Sequence, residues 1–137
     1  SVPPRKEAVP PFLNFAPLEN ASAQLTESAK RFKTALEQVR SLKKPVSALI
    51  NKKLIESERR LTDEAGLPNR PWFRHMIYAP GLYTGYGVKT IPGVREAIEQ
   101  KKWKEAEQEM VRTAKAIESL AQLIDSTSVE IQSLVKR

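Results

Sequence analysis

The residues of this 137-residue sequence that could carry out chemistry are few. It has no cysteine and a single histidine, His75, so neither a thiolate site nor a multi-histidine zinc site can be assembled, and we expect no metal and no cofactor. A Ser-His-Asp arrangement would have His75 as its one possible base. Because His75 lies in an aromatic stretch, we interpret it as a packed side chain satisfied by a backbone group or a carboxylate. A catalytic His75 stays open as the alternative.

Three other sequence patterns bear on possible catalytic, phosphate-binding or modification sites. Glu105, Glu107 and Glu109 alternate along a predicted helix, so their carboxylates point in different directions, and we interpret them as solubilising charges. Residues 81–87, GLYTGYG, are similar to a glycine-rich phosphate loop but lack the Lys-Ser/Thr step and the strand-to-helix context of a P-loop. The tripeptide Asn20-Ala21-Ser22 matches the acceptor pattern for N-glycosylation and hints at the secretory pathway.

The formal net charge of +7 raises the question of a nucleic-acid partner. In one interpretation, aromatic side chains stack on bases beside Arg70 and Arg74, which would make the chain a stand-alone basic module for nucleic acid or an acidic partner. These aromatic residues are Trp72, Phe73, Tyr78, Tyr83 and Tyr86. However, the lysines and arginines interleave with acids at helical spacing. We therefore favour solvated helix faces and expect no nucleic acid.

The apolar periodicity predicts the elements that position these residues. Stripes at intervals of three and four predict long helices over residues 18–42 and 103–124, the second of them extended by Ile131, Leu134 and Val135. A medium helix is predicted over residues 46–65, with Gly66 as its cap, and Pro92 opens a short one. We therefore predict an all-α fold, an antiparallel bundle of about four helices with a long Gly/Pro/aromatic loop between the second and third.

The prolines and the hydropathy set the domain boundaries. Four of the first eleven residues are proline, so we predict a flexible lead-in over residues 1–11 and a single helical domain over 12–137. No apolar run approaches the roughly 18 to 20 residues that cross a bilayer, so we expect no direct membrane insertion by these residues.

Residues 66–93, GLPNRPWFRHMIYAPGLYTGYGVKTIPG, hold all five glycines of the sequence. The specific elements are Gly66-Leu67-Pro68, Arg70-Pro71 before an aromatic residue, Arg74-His75 before an apolar pair, Tyr78-Ala79-Pro80, and Pro92-Gly93. In these elements the sequence resembles the transferrin-receptor-like dimerisation domain, the carboxy-terminal helical domain shared by the transferrin receptor and glutamate carboxypeptidase II. The resemblance covers residues 12–126.

The resemblance implies a non-catalytic domain. Such a domain forms a homodimer with its counterpart in a second subunit and packs on a zinc peptidase-like domain of the same parent chain. The family's metal ligands and catalytic glutamate lie in that other domain. The resemblance also implies a membrane-anchored parent that holds this domain on the extracellular or lumenal side, in the secretory pathway or a vacuole.

One further implication concerns substrate. In the carboxypeptidase members, the loop after the Tyr-Ala-Pro step reaches the substrate pocket, where a Lys-Tyr pair binds the carboxylate-bearing end of the substrate. Alignment through the flanking motifs places the tyrosine at Tyr86 and the lysine at Gly85. A charge-assisted contact of that kind contributes about 1.5 to 3 kcal/mol. Its loss implies either a different substrate or a parent without activity.

An aromatic-rich loop on so small a bundle would expose apolar surface, and patches above a few hundred Å² normally meet a partner. The residues predicted to form this docking surface are Trp72, Phe73, Arg74, His75, Tyr78, Leu82 and Tyr83. Ile77, Ile55, Leu120 and Leu123 are further candidates for outward-facing residues.

Overall fold

The structure is a computed structural model that describes residues 12–71, 73–80 and 88–136. Its elements, in chain order, are α1 (Ala16–Ser41), α2 (Ser47–Arg60), β1 (Tyr78–Pro80), β2 (Val88–Thr90), α3 (Pro92–Glu99) and α4 (Trp103–Val135). This order confirms the all-α bundle with a long connection between the second and third helices. Within that connection, β1 and β2 form a small antiparallel pair in which Tyr78 is opposite Thr90.

The ends of the helices follow local sequence signals. Pro17 lies in the first turn of α1 and Pro92 begins α3, positions at which the missing proline N–H costs no helical hydrogen bond. Helix α2 ends at Arg60, whereas the sequence predicted an end at Ala65. The helix stops early because the following backbone pairs with another segment of the connection. Gly66 therefore lies in a turn beyond the helix.

Contacts between side chains establish the directions of the long helices. The carboxylate of Asp125 in α4 accepts hydrogen bonds from Arg31 in α1, and the carbonyl of Leu134 accepts one from Lys44, just after α1. The later residue of the first segment, Lys44, contacts the later residue of α4, Leu134. The two helices α1 and α4 therefore run parallel. Helix α2 runs antiparallel to both and connects back along the bundle.

The core between α1 and α4 is built from small side chains. Ala21 and Ala35 of α1, and Ala106 and Ala121 of α4, are fully buried. Alanines at the contact allow two helices to approach closely over their whole length. Ala35 belongs to a cluster with Val39 and Ile131, and the aromatic and aliphatic residues that pack around it are Phe32, Leu36, Val46, Leu49 and Val135.

Candidate docking surface

The segment after α2 folds back on itself and forms what we call the anchored loop, residues 61–71 and 73–77. The N–H of Asp63 donates to the carbonyl of Arg74 at 2.8 Å, and the N–H of Met76 donates to the carbonyl of Leu61 at 2.8 Å. Thr62 and His75 form an isolated antiparallel bridge between these two bonds. The anchored loop is therefore closed by its own backbone.

Buried apolar side chains attach the anchored loop to α4. Leu67 and Met76 are 2% and 1% exposed and pack with Ala116, and Phe73 lies half-buried against them. Burial of large side chains of this kind typically contributes about 1.5 to 3 kcal/mol each. The anchored loop is therefore packed against α4 by buried apolar side chains.

Gly66 lies at a turn of the anchored loop where the backbone is left-handed. Its φ of +70° lies in the left-handed region, and a Cβ at this position would stand 2.1 Å from the carbonyl oxygen of Pro71. Backbone atoms cannot yield as a flexible side chain can. Glycine is therefore required here for both conformation and space.

A buried ion pair connects the anchored loop to α3. Nη2 of Arg70 lies 2.5 Å from Oε1 of Glu96, and their side chains are 3% and 8% exposed. The guanidinium of Arg70 also lies 5.2 Å from the ring centroid of Phe73. Since Arg70 is enclosed in this way, the interpretation that placed it on a basic surface for stacking nucleic-acid bases is wrong.

A second arginine connects α4 to the same loop. Nη1 of Arg112 donates to Glu109 at 2.7 Å, and Nη2 donates to the carbonyl of Gly66 at 2.6 Å. Its guanidinium also lies 3.4 Å from the carboxylate of Asp63. One side chain therefore contacts the loop at two points and its own helix at a third.

Glu109 is buried, so its interpretation as a solubilising charge is wrong. Glu109 is 3% exposed, and its Oε2 atom has no hydrogen-bond partner among the residues that the structure describes. The same oxygen lies where a side chain on Gly93 of α3 would have to go. Burial raises the pKa of Glu109 above its ordinary value, although the hydrogen bond from Arg112 opposes this shift.

His75 is half-buried and engaged at both ring nitrogens. Its Nδ1 accepts a hydrogen bond from the backbone N–H of Ile77 at 3.2 Å, and its Nε2 lies 3.5 Å from the carboxylate of Glu58. This is the kind of environment expected for a packed histidine. Across the described part of the chain, no group of three or more histidine, aspartate or glutamate side chains is arranged to hold a metal ion.

The predicted docking residues are only partly within the described structure. Phe73 is half-buried, Arg74 is exposed, and His75 faces Glu58. Tyr78 is the first residue of β1. The positions that lie outside the described residues are Trp72, Leu82, Tyr83, Gly85 and Tyr86.

Helix α2 carries an apolar surface that the sequence analysis only partly identified. None of its fourteen residues, all of which the structure describes, is buried. Leu54 and Ile55 are 60% and 64% exposed. Leu54 borders a groove of about 230 Å³ between α1, α2 and α4. Its main apolar lining residues are Phe32, Ile50, Leu120, Leu123 and Ile124.

The outward-facing predictions for the helices have mixed outcomes. Ile55 is exposed as expected and Leu120 is half-buried, but Leu123 is 3% exposed, so its assignment to an outer face is wrong. Leu54 continues the three-and-four apolar spacing of Leu49 and Ile50, which predicts a buried position, but it is 60% exposed, so that prediction is wrong. Apolar spacing shows that residues such as Leu54 and Ile55 share a broad face of the helix, but it does not show whether another element of the same chain covers that face.

Comparison with known families matches residues 13–125 to the model of the transferrin receptor-like dimerisation domain. The chain belongs to this family. The expected resemblance is thereby confirmed, and the match spans α1, α2, the anchored loop, α3 and most of α4.

Relatives of this dimerisation domain are peptidase-like proteins. The chain is 40% identical over 75 residues to a probable glutamate carboxypeptidase of Arabidopsis thaliana, covering 50% of the chain and 11% of the relative. It is 29% identical over 117 residues to an inactive zinc metalloprotease of Schizosaccharomyces pombe, covering 77% of the chain and 15% of the relative. It thus spans about a tenth to a seventh of the length of these relatives.

In the part of this dimerisation domain that the structure describes, none of the helices combines the length and the apolar character needed to cross a bilayer.

Proposed function

We propose that this chain is the dimerisation domain of a longer zinc-peptidase-like protein, in which it pairs with a second copy of itself. The observation that carries the proposal is the exposed apolar surface of α2, in a chain that matches the dimerisation family over residues 13–125. Leu54 and Ile55 are adjacent, and Leu54 also lines the apolar groove between α1, α2 and α4. Surfaces of this kind are typical of protein interfaces.

The polar contacts between α2 and α4 also favour a partner on the exposed side of α2, which carries Leu54 and Ile55. Its contacts with α4 include a 3.4 Å ion pair between Lys53 and Glu130 and a 3.1 Å hydrogen bond from Arg60 to Ser119. Partly exposed polar contacts of this kind contribute little to stability. A second copy covering Leu54 and Ile55 would supply the apolar burial that the helix lacks within one chain.

The anchored loop and the β1–β2 pair form the second docking element of the proposal. The N–H of Ile91 donates to the carbonyl of Ile77 at 2.7 Å, which ties the base of the pair to the start of α3. We propose that this rigid base presents residues 81–87 to a peptidase-like domain of the parent. The resemblance assigns Gly85 and Tyr86 in that segment to the substrate pocket.

The proposal assigns no turnover to this chain by itself. The sequence has no cysteine and one histidine, and the two nitrogens of that histidine are engaged by Ile77 and Glu58. The peptidase-like relatives are much longer than the chain. We therefore place reaction chemistry in another part of the parent, which we propose is membrane-anchored with this domain on the extracellular or lumenal side.

Sedimentation equilibrium over a concentration series tests the pairing. We expect a monomer–dimer equilibrium for the chain, shifted strongly towards monomer by Leu54→Glu or Ile55→Glu because each places a charge in the interface. Gln24→Glu adds the same charge at an exposed position of α1 and should leave the equilibrium unchanged. A strict monomer at high concentration, or equal effects of all three substitutions, would refute pairing through α2.

A further inference from the structure

We propose that Asn20 is an acceptor for N-linked glycosylation and that the glycan marks a face of α1 which stays in solvent when the parent assembles. The proposal rests on the lumenal or extracellular placement in the proposed function. The acceptor pattern is Asn20-Ala21-Ser22, in which the middle residue is not proline.

The folded structure leaves room for a glycan at this position. Asn20 lies in the second turn of α1, and both Asn20 and Ser22 are exposed, whereas Ala21 between them is fully buried against the bundle. The helix is therefore fixed at this point by its alanine, and Asn20 lies about 100° around the helix from Ala21 with its side chain exposed. A bulky carbohydrate attached there displaces no packed atom.

The surface around Asn20 is suited to carbohydrate and unsuited to an apolar interface. Across Ala16–Ser41, every residue of which is described, no large hydrophobic side chain is exposed. By contrast, α2 exposes Leu54 and Ile55, and α4 exposes Val111 and Val129. Within α1 itself the exposed side therefore offers a partner little apolar surface, although Phe15 and Leu42 are exposed just beyond its two ends.

The position of Asn20 on the helix also separates it from the proposed dimer surface. Ala29 lines the groove beside Leu54, and it follows Asn20 by nine residues. At about 3.6 residues per turn, this spacing places the two on opposite sides of α1. A glycan on Asn20 would therefore point away from the groove and leave α2 free to pair.

The modification forms one bond and breaks one. The side-chain amide nitrogen of Asn20 bonds to the anomeric carbon of an oligosaccharide that is carried on a lipid diphosphate, and the bond from that carbon to the diphosphate oxygen breaks. The amide loses a proton, and the lipid diphosphate leaves. The Ser22 hydroxyl belongs to the recognised pattern. The reaction requires an extended acceptor and so occurs before α1 forms.

The test is expression of the full chain behind a cleavable secretion signal in eukaryotic cells. We expect a mass increase that peptide N-glycosidase removes while converting Asn20 to aspartate. Asn20→Gln and Ser22→Ala should lose the mass increase completely, and Ser22→Thr should keep it. Asn51→Gln is the matched control, because Asn51 is an exposed helical asparagine outside any acceptor pattern.

Several outcomes would overturn the assignment. An unmodified wild-type chain, whether recovered from the medium or from the membrane fraction of the cells, would refute it, as would a glycan that persists in Asn20→Gln. Sedimentation equilibrium then tests the position of the surface, since the glycosylated chain and Asn20→Gln should dimerise equally. If the glycosylated chain and Asn20→Gln are both monomeric, the proposed pairing alone is refuted, whereas a glycosylated monomer beside a dimeric Asn20→Gln would refute the solvent-exposed face.

Discussion

Arg70 and Glu96 place two opposite charges in the interior of a small molecule. Their side chains are 3% and 8% exposed, and they join the anchored loop to α3. Both side chains are withdrawn from solvent, so removal of either one leaves the opposite charge buried. The pair therefore fixes the position of the loop more firmly than an exposed ion pair could.

We expect Arg70→Ala to lower the free energy of unfolding by about 3 to 5 kcal/mol, because it leaves the carboxylate of Glu96 buried without its guanidinium. Urea denaturation followed by circular dichroism measures this change. Arg31→Ala is the control, since Arg31 pairs with Asp125 in an exposed position and its loss should change stability little. Equal losses in the two variants would show that burial of the Arg70 pair has no special effect.

Glu109 predicts an unusual dependence of stability on pH. Burial raises its pKa in the folded state, so folding favours the protonated form. This contribution is fully present below the unfolded pKa of about 4.3 and is lost as pH rises through the higher folded value. We expect wild type to gain stability relative to Glu109→Gln as pH falls from neutrality towards about 4.3, measured by urea denaturation at several pH values.

Asp125 provides a comparison of opposite sign for that experiment. The hydrogen bond from Arg31 lowers the pKa of Asp125, so its stabilising contribution is present near neutrality and is lost as pH falls through the folded value. Relative to Asp125→Asn, wild type should therefore lose stability on acidification. If both differences move in the same direction, the account given for Glu109 is wrong.

At the scale of elements, two glycines set how closely segments approach, and they differ in what they approach. A Cβ on Gly66 would meet the backbone of Pro71, whereas a Cβ on Gly93 would stand 2.4 Å from a side-chain oxygen of Glu109. We expect Gly66→Ala to destabilise the fold by about 1 to 3 kcal/mol, and Gly93→Ala to destabilise it by less, because a side-chain carboxylate can shift where a backbone carbonyl cannot. Thermal and urea unfolding of the single variants measure these losses.

Removal of the Glu109 side chain distinguishes the two cases. In a Glu109→Ala background, Gly93→Ala should cost markedly less than in wild type, because the atom that it would meet is gone. Gly66→Ala should cost the same in both backgrounds, since its obstacle is a carbonyl. A rescue of both substitutions, or of neither, would contradict the close approach of α3 to Glu109.

The helices could be predicted because their signals are local. Apolar spacing indicated α1 and α4, and Pro92 marked the start of α3. The end of α2 could not be predicted, because it depends on hydrogen bonds between residues 61–63 and 74–76, which are distant in sequence. Periodicity identifies an apolar face but does not say which other element covers it.

The side chains that were misassigned have the same physical explanation. Alternation along a helix correctly indicated that Glu105, Glu107 and Glu109 do not converge, but it could not show that Glu109 would face α3 and Arg112. Arg70 appeared basic and available in sequence, whereas Glu96, its buried partner, lies 26 residues further along. Buried charge pairs of this type are properties of the tertiary fold.

At the scale of the whole molecule, pairing of two chains should make thermal stability depend on concentration. A partner that binds only the folded state stabilises it by mass action. We expect the melting temperature of wild type to rise across a hundredfold increase in protein concentration, as measured by scanning calorimetry. The melting temperature of Leu54→Glu should stay constant over the same range. A constant value for wild type would contradict an interface coupled to folding.

The length of α4 and the position of the anchored loop along it have a practical consequence for experiments on this molecule. The anchored loop lies beside the first half of α4, whose 33 residues span about 50 Å. A fluorophore or surface tether attached after Val135 would therefore sit at the far pole from the loop and β1–β2. Single-molecule capture through that end of α4 would leave the anchored loop accessible to a binding protein in solution.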